Sequence, residues 1–132
     1  MKYICSLYSL DAKTNSFKDT VTRQHRYEYA MKRTAMMLKN KEHVYSPILH
    51  CHEMSVKYKL PKDYSFWKSQ DRHMIDKCDE VVVLKMNGFK GGWGESVGIT
   101  DEINYAIKLG KPITYLECED YCDPYDLGDE TL

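Results

Sequence analysis

The residues with the clearest potential for chemistry are Ser96, Gly98 and Glu102, which lie within residues 95–106. They follow a strand-like run and a glycine-rich loop, and they begin a segment with helical spacing of apolar residues. Ligands of open α/β sheets bind where a strand, a loop and a helix follow one another in this order. The segment is therefore the first candidate for a ligand site.

Glu102 and Ser96 suit two different tasks. The spacing predicts Glu102 in or near the first turn of the helix, where unpaired amides and the helix dipole keep a carboxylate charged. A charged carboxylate can act as a nucleophile. The Ser96 hydroxyl, with the exposed amides around Gly98, can hold a phosphate without a lysine. Spacing alone favours a simpler alternative, in which Ser96 only caps the helix and Glu102 is solvated.

The elements that must position these residues alternate along the chain. Helical spacing predicts helices at about residues 21–39 and 63–77 and from residue 95 onward, with Arg23 and Arg26 largely outside the apolar face of the first. Residues from Pro47 to about Pro61 have no firm period and are predicted to form a loop with room for a helical turn. Runs of β-branched and aromatic residues predict strands at 2–7, 43–46, 80–86 and 113–116.

This order predicts an α/β fold with a single open parallel sheet of four to five strands and helices on both faces, Rossmann-like or flavodoxin-like. The chain of 132 residues has room for one core. We expect the domain at residues 1–116 and an acidic tail at 117–132. The tail is expected to be solvated or loosely packed, with docking of Tyr121 and Tyr125 on a neighbour as the alternative. Neither a G-x-G-x-x-G motif nor a P-loop lysine is present, which disfavours dinucleotide folds and NTPases.

Composition narrows the range of partners. The 19 basic and 20 acidic residues give no electrostatic bias, which disfavours a nucleic-acid polymer as partner. No apolar run reaches membrane-spanning length, and the N-terminal residues predict a strand rather than a signal peptide. Five cysteines without a C-x-x-C pair favour reduced thiols. We therefore expect a cytoplasmic protein without membrane contact.

The string His50-Cys51-His52-Glu53 contains residue types that bind metals. Its spacing matches no familiar zinc site, and no second pair of ligands is evident elsewhere in the sequence. We therefore predict no metal site.

The pattern Ser96-x-Gly98-x-x-x-Glu102, followed by Ile-Asn-Tyr-Ala, resembles the signature of the nucleoside 2-deoxyribosyltransferase superfamily. The resemblance is closest to the (2′-deoxy)nucleoside 5′-phosphate N-hydrolases and to small phage and bacterial relatives. It extends over most of the chain, in the order in which the family has its motifs. The other matching positions are Tyr3, the strings Tyr8-Ser9, Ser46-Pro47-Ile48-x-His50 and Trp67-x-x-x-Asp71, and the pair Asp71 and Asp79.

The resemblance implies catalytic roles for three residues. Glu102 would attack the anomeric carbon and form a glycosyl-enzyme intermediate, Asp71 would manage the proton on the departing base, and Tyr3 would hydrogen-bond the nucleophile. Two acids suit an N-glycosidic bond, because its cleavage passes through an oxocarbenium-like state. The structural alternative for Asp71 is a surface acid beside Arg72.

The resemblance also bears on the substrate. Transferases of free nucleosides carry an aspartate six positions before the nucleophile, whereas the monophosphate hydrolases carry serine, as at Ser96. A nucleoside 5′-monophosphate is therefore expected, with no cofactor. The hydrolases have an arginine after the first strand that this chain lacks, and Arg26 or Arg23 is the candidate to replace its charge. The other expected contacts are Ser6, Tyr8, Ser9 and Gly98 around the substrate and phosphate, and Trp93, Phe89 and His50 over the base.

The expected function is hydrolysis of a (deoxy)nucleoside 5′-monophosphate to free base and sugar phosphate. Transfer of the sugar to a second base, a nucleotide-binding module without turnover, and cleavage of NAD remain alternatives. The resemblance further implies a homodimer or a higher homo-oligomer.

Overall fold

The computed structural model describes residues 1–9, 17–88 and 91–124. Strands and helices alternate along these residues. The strands are β1 (Lys2–Cys5), β2 (Val44–Tyr45), β3 (Glu80–Lys85) and β4 (Ile113–Glu117). The helices are α1 (Phe17–Lys39), α2 (Pro47–Tyr58), α3 (Tyr64–Lys77) and α4 (Val97–Lys108), and a 3₁₀ turn at Trp93–Glu95 precedes α4. The predicted α/β class is confirmed.

All four strands are parallel, in the order β2-β1-β3-β4. Successive side chains of a strand point to opposite faces, and Tyr3, Ile4 and Cys5 of β1 are all fully buried. The sheet is therefore covered on both faces at its centre, which explains the continuous apolar run of β3. The chain moves from β1 outward to β2 and then returns to the other side of β1 with β3. This reversal is a topological switch point, where ligands of such folds bind.

Helix α2 replaces the loop that the sequence predicted between Pro47 and Pro61. The Ser46 side chain caps it by accepting a hydrogen bond from the Leu49 N–H, Pro47 lies in the first turn, and Lys59 ends it in the left-handed conformation. The spacing of apolar residues did not predict this helix, because α2 exposes three apolar residues and buries only Cys51 and His52. The exposed residues are Met54, Val56 and Tyr58.

Helix α1 begins at Phe17, four residues before its predicted start. The expectation that Arg23 and Arg26 lie largely outside its buried face is wrong, since both are buried. In α3, Ile75 is buried as predicted, whereas Tyr64, Trp67 and Met74 are only partly covered. The helices in the described ranges include none long and apolar enough to cross a membrane.

The acidic segment after β4 packs against the domain instead of forming a solvated end. Cys118, Tyr121 and Asp123 are buried, and the Tyr121 ring meets Tyr29 of α1 edge-on at 4.9 Å between centroids. The prediction of a loose tail is therefore wrong for residues 117–124. Tyr125 and the rest of the tail lie outside the described residues.

Candidate functional site

A cavity of about 330 Å³ opens at the carboxyl ends of the strands. Its walls are the loop after β1 (residues 6–9), the first residues of α2, one face of α3, and the segment from Gly91 into α4. The volume falls within the range of small-molecule sites, which begins at about 300 Å³. The cavity therefore lies at the switch point between β1 and β3.

Two buried carboxyl groups line this cavity. Glu102 of α4 is 5% exposed and Asp71 of α3 is 7% exposed. The Tyr3 hydroxyl, on the fully buried part of β1, donates a hydrogen bond to Oε2 of Glu102. Tyr3 and Cys5 project from the same face of β1, because they are two residues apart. The hydrogen bond between Tyr3 and Glu102 that the resemblance implied is thus confirmed.

Glu102 was predicted in or near the first turn of α4, and it lies near that turn rather than in it. The helix begins at Val97, so Glu102 lies in its second turn, and no acidic residue occupies the first. The alternative of a solvated acid is wrong, because Glu102 is buried. Its environment is therefore set by its neighbours in the core rather than by exposed helix amides.

Ser96 is the N-cap of α4, and its side-chain oxygen accepts a hydrogen bond of 3.2 Å from the Ile99 N–H. The N–H groups of Val97 and Gly98 have no partner within the helix at these positions, and both residues line the cavity with Ser96. A Cβ on Gly98 would lie 3.1 Å from Cδ1 of Tyr64. Glycine therefore allows the Tyr64 ring to cover the helix end closely.

Residues 1–118 match the family described as a domain of unknown function (DUF1937). The chain belongs to this family. No curated protein matches it. The family description names no activity, so the resemblance to nucleoside 2-deoxyribosyltransferases remains a prediction. What this DUF1937 domain can do chemically depends on the residues of its cavity.

The two acids of this DUF1937 domain perturb each other. Burial and the nearby charge of Asp71 raise the pKa of Glu102 well above its usual value, while hydrogen bonds from Tyr3 and Cys5 act in the opposite direction. Burial raises the pKa of Asp71 to about 6. The pair therefore retains one proton at neutral pH, since two adjacent buried charges repel each other. Burial also raises the pKa of the Tyr3 phenol, which stays protonated and remains a donor.

Three buried polar atoms at the cavity are available for hydrogen bonding. Ser6 Oγ, Ser9 Oγ and Asp71 Oδ1 are buried and form no hydrogen bond to any residue that the structure describes. Ser6 and Asp71 are also more than nine-tenths buried as residues. Buried polar groups are normally hydrogen-bonded, so these atoms can bond to a polar group that enters the cavity.

Arg26 lines the cavity, but its charge is already paired. Its Nε and Nη2 atoms donate to the two carboxylate oxygens of Asp123, at 3.0 and 2.7 Å. Both side chains are almost completely buried. The charge that Arg26 was expected to supply to a phosphate is therefore compensated by Asp123. Arg23 is buried close to the cavity residues Tyr8 and Lys62, so that their pKa values respond to its charge.

Two of the three residues predicted to cover the base, Trp93 and His50, lie outside the cavity wall. Trp93 is not part of the cavity wall, and its ring packs against Tyr115 at 5.5 Å between centroids. His50 lines a separate groove between α2 and α3. Phe89 lies outside the described residues. The aromatic side chains that do line the cavity are Tyr8, His52, Tyr64 and Trp67.

His52 and Trp67 are among the cavity residues that the prediction of substrate contacts missed. The Tyr8 hydroxyl lies 2.5 Å from Nδ1 of His52, whose Nε2 lies 2.8 Å from Oε1 of Gln24. Burial lowers the pKa of His52, which is therefore neutral at physiological pH. The sequence held one signal for Trp67, since it precedes Asp71 by one helical turn and therefore shares its face.

Proposed function

We propose that this protein is an N-glycosidase that hydrolyses a (deoxy)nucleoside 5′-monophosphate to a free base and a sugar phosphate. The observation that carries the proposal is the buried contact of Tyr3, Glu102 and Asp71 at the switch-point cavity. Two carboxyl groups that hold one proton between them provide a nucleophile and an acid at once.

Hydrogen bonds from Glu102 and Tyr3 lower the pKa of Asp71, whereas Asp71 raises that of Glu102, so the resting pair carries its proton on Glu102. In the proposed mechanism the pair reacts as the other tautomer, in which the proton has moved to Asp71 and hydrogen bonds from Tyr3 and Cys5 stabilise the charge on Glu102. Glu102 attacks the anomeric carbon while Asp71 gives its proton to the departing base. Asp71, now a carboxylate, then takes a proton from the water that releases the sugar phosphate from Glu102. The proton returns to Asp71, so the cycle closes without a cofactor.

The start of α4 supports a phosphate on the substrate. Ser96 can donate its hydroxyl hydrogen, since its oxygen already accepts the Ile99 N–H. The helix amides at Val97 and Gly98 suit an anion. The Ser6 hydroxyl, buried at the cavity without a partner among the described residues, supplies a further polar contact.

A panel of ribo- and deoxyribonucleoside monophosphates, analysed by chromatography for liberated base, tests the proposal. Wild-type protein should release base from at least one of them, and Glu102→Gln should release none while keeping the wild-type circular dichroism spectrum. Glu95→Gln is the matched control, because Glu95 also borders the cavity but accepts a hydrogen bond from the Gly92 N–H. It should retain activity.

Other outcomes of this panel assign different functions. A new nucleoside formed after addition of a second free base would indicate transfer through the same intermediate. Tight calorimetric binding of a monophosphate without any base released would indicate a nucleotide-binding module. Base release by Glu102→Gln at the wild-type rate would refute the mechanism.

We also propose that the protein forms a homodimer or a larger assembly and that it is cytoplasmic. The exposed Met54, Val56 and Tyr58 of α2 and Phe66 of α3 support a self-association surface on these helices. The five cysteines, all within the described residues, form no disulfide, which supports a reducing compartment. Light scattering coupled to size exclusion measures the assembly.

A further inference from the structure

The buried Arg26 connects three parts of the chain at the carboxyl ends of the strands. Its Nη1 atom donates to the backbone carbonyls of Tyr8 and Ser9, at 3.4 and 3.2 Å. These two residues belong to the loop after β1 that lines the cavity. The opposite edge of the guanidinium holds Asp123, which follows β4. The cavity loop is therefore attached to the acidic C-terminal segment through one side chain.

The third part is the loop after β3. A Cβ on Gly88 would lie 2.5 Å from Nη2 of Arg26 and 3.2 Å from Oδ2 of Asp123. Backbone thus covers the ion pair closely at this position. The Tyr121 hydroxyl also donates to Oδ1 of Asp123, so the carboxylate is held from two sides.

The donor count of Arg26 limits what else it can bind. A guanidinium has five N–H groups, and the contacts to Asp123, Tyr8 and Ser9 account for four. Recognition of a phosphate by arginine normally uses two parallel N–H groups and an uncompensated charge. Arg26 can offer neither while Asp123 is in place.

We propose that Asp123 is a positioning residue of the cavity, which acts through Arg26 to fix the backbone of Tyr8 and Ser9 in contact with the substrate. Arg26 is then the link, and not the ligand of the substrate phosphate. Asp123, although it lies in the acidic segment after β4, is accordingly part of the functional site. Only the kinetic readout of this inference rests on the proposed function.

The direction in which Asp123→Asn changes the KM separates the two roles of Arg26. If Arg26 binds phosphate, Asp123→Asn exposes its charge, and the KM for a nucleoside monophosphate falls. If Asp123 positions the loop, the same variant loosens residues 8 and 9. The KM then rises about tenfold, as expected for loss of hydrogen bonds to a charged group, with kcat changed less than the KM. Arg26→Lys keeps the charge but cannot bridge the same groups, and should change the KM in the same direction.

Asp120→Asn is the matched control. Asp120 ties the same segment to α1 through Tyr29 and Lys32, at 2.5 and 3.0 Å, without contacting Arg26. Its substitution should leave the KM unchanged. If Asp123→Asn does not fold, Tyr121→Phe removes one support of Asp123 and should produce a smaller rise in KM.

A second measurement needs no substrate. Amide hydrogen exchange of residues 7–9 in the full chain should accelerate about tenfold in Asp123→Asn and stay at the wild-type rate in Asp120→Asn. A KM that falls, or exchange at residues 7–9 that is unchanged in Asp123→Asn, would overturn the inference. Failure of every monophosphate as a substrate would refute the proposed function alone, because the exchange experiment would still test the positioning role.

Discussion

Replacing Asp71 with asparagine should stabilise the protein as the pH rises. Burial raises the pKa of Asp71 from 3.8 to about 6, so the folded protein keeps this proton over a range in which the unfolded chain loses it. Below pH 3.8 both states are protonated and the carboxyl imposes no penalty. Between the two values the unfolded state is increasingly favoured, because only there is the carboxylate solvated. Asparagine has no proton to lose and removes this penalty.

The pKa values fix the size of the effect. Each tenfold change in an ionisation constant corresponds to about 1.4 kcal/mol, so a rise from 3.8 to about 6 amounts to about 3 kcal/mol. The free energy of unfolding of Asp71→Asn relative to wild type should therefore increase by about 3 kcal/mol between about pH 3.5 and 6.5. The gain should not reverse at higher pH, because loss of the Asp71 charge also relieves Glu102.

Urea unfolding of both proteins at a series of pH values, followed by circular dichroism, measures this difference. Asp76→Asn is the control, since Asp76 is an exposed acid on the same helix that accepts a hydrogen bond from Tyr105. A stability difference between Asp71→Asn and wild type that is independent of pH, or that decreases as the pH rises, would refute the assignment of Asp71 as a buried acid with a raised pKa.

Three further predictions concern activity and stability. The acid limb of the kcat/KM profile should lie near pH 6, where the pair loses its first proton, and activity should fall as the pH decreases through it; an acid limb at pH 4 would contradict this. Tyr3→Phe should lower kcat about ten- to a hundredfold and shift the acid limb to higher pH, because the charge on Glu102 loses a donor; an unchanged profile would argue against the contact. Lys111→Met should lower the free energy of unfolding, measured in urea, by about 2 kcal/mol. The reason is that the Lys111 ammonium donates to three backbone carbonyls at the end of α3. The control Lys108→Met, at an exposed position, should differ from wild type by less than about 0.5 kcal/mol.

The central strands were predictable because their signal is local. β1 and β3 have apolar centres that are buried on both faces, and they lie within the ranges 2–7 and 80–86 that the sequence predicted. Helix α2 was not predictable from periodicity, since its apolar residues are spread around the helix and several face solvent. Its N-terminal signals at Ser46 and Pro47 were the better evidence.

The two acids and the tyrosine of the candidate site were predictable from the sequence, but their environment was not. Spacing and resemblance identified Tyr3, Asp71 and Glu102, but the contact of Tyr3 with Glu102 joins residues 99 positions apart. Only the folded chain shows that Glu102 is buried against Asp71, so its pKa could not be inferred from the position in the helix. Arg26 and Asp123 are likewise 97 positions apart. The acidic composition of the tail predicted a solvated segment, and it gave no sign that Asp123 forms a buried ion pair with Arg26.

The central claim is that the Glu102 carboxylate forms a covalent bond to the sugar. Protein mixed with a monophosphate that it hydrolyses, quenched with acid within one turnover and analysed by mass spectrometry, measures this directly. We predict an added mass equal to the sugar phosphate less water, located on the peptide that contains Glu102 and absent from Glu102→Gln. Base release without any adduct in the wild-type protein, or an adduct on another residue, would contradict the account.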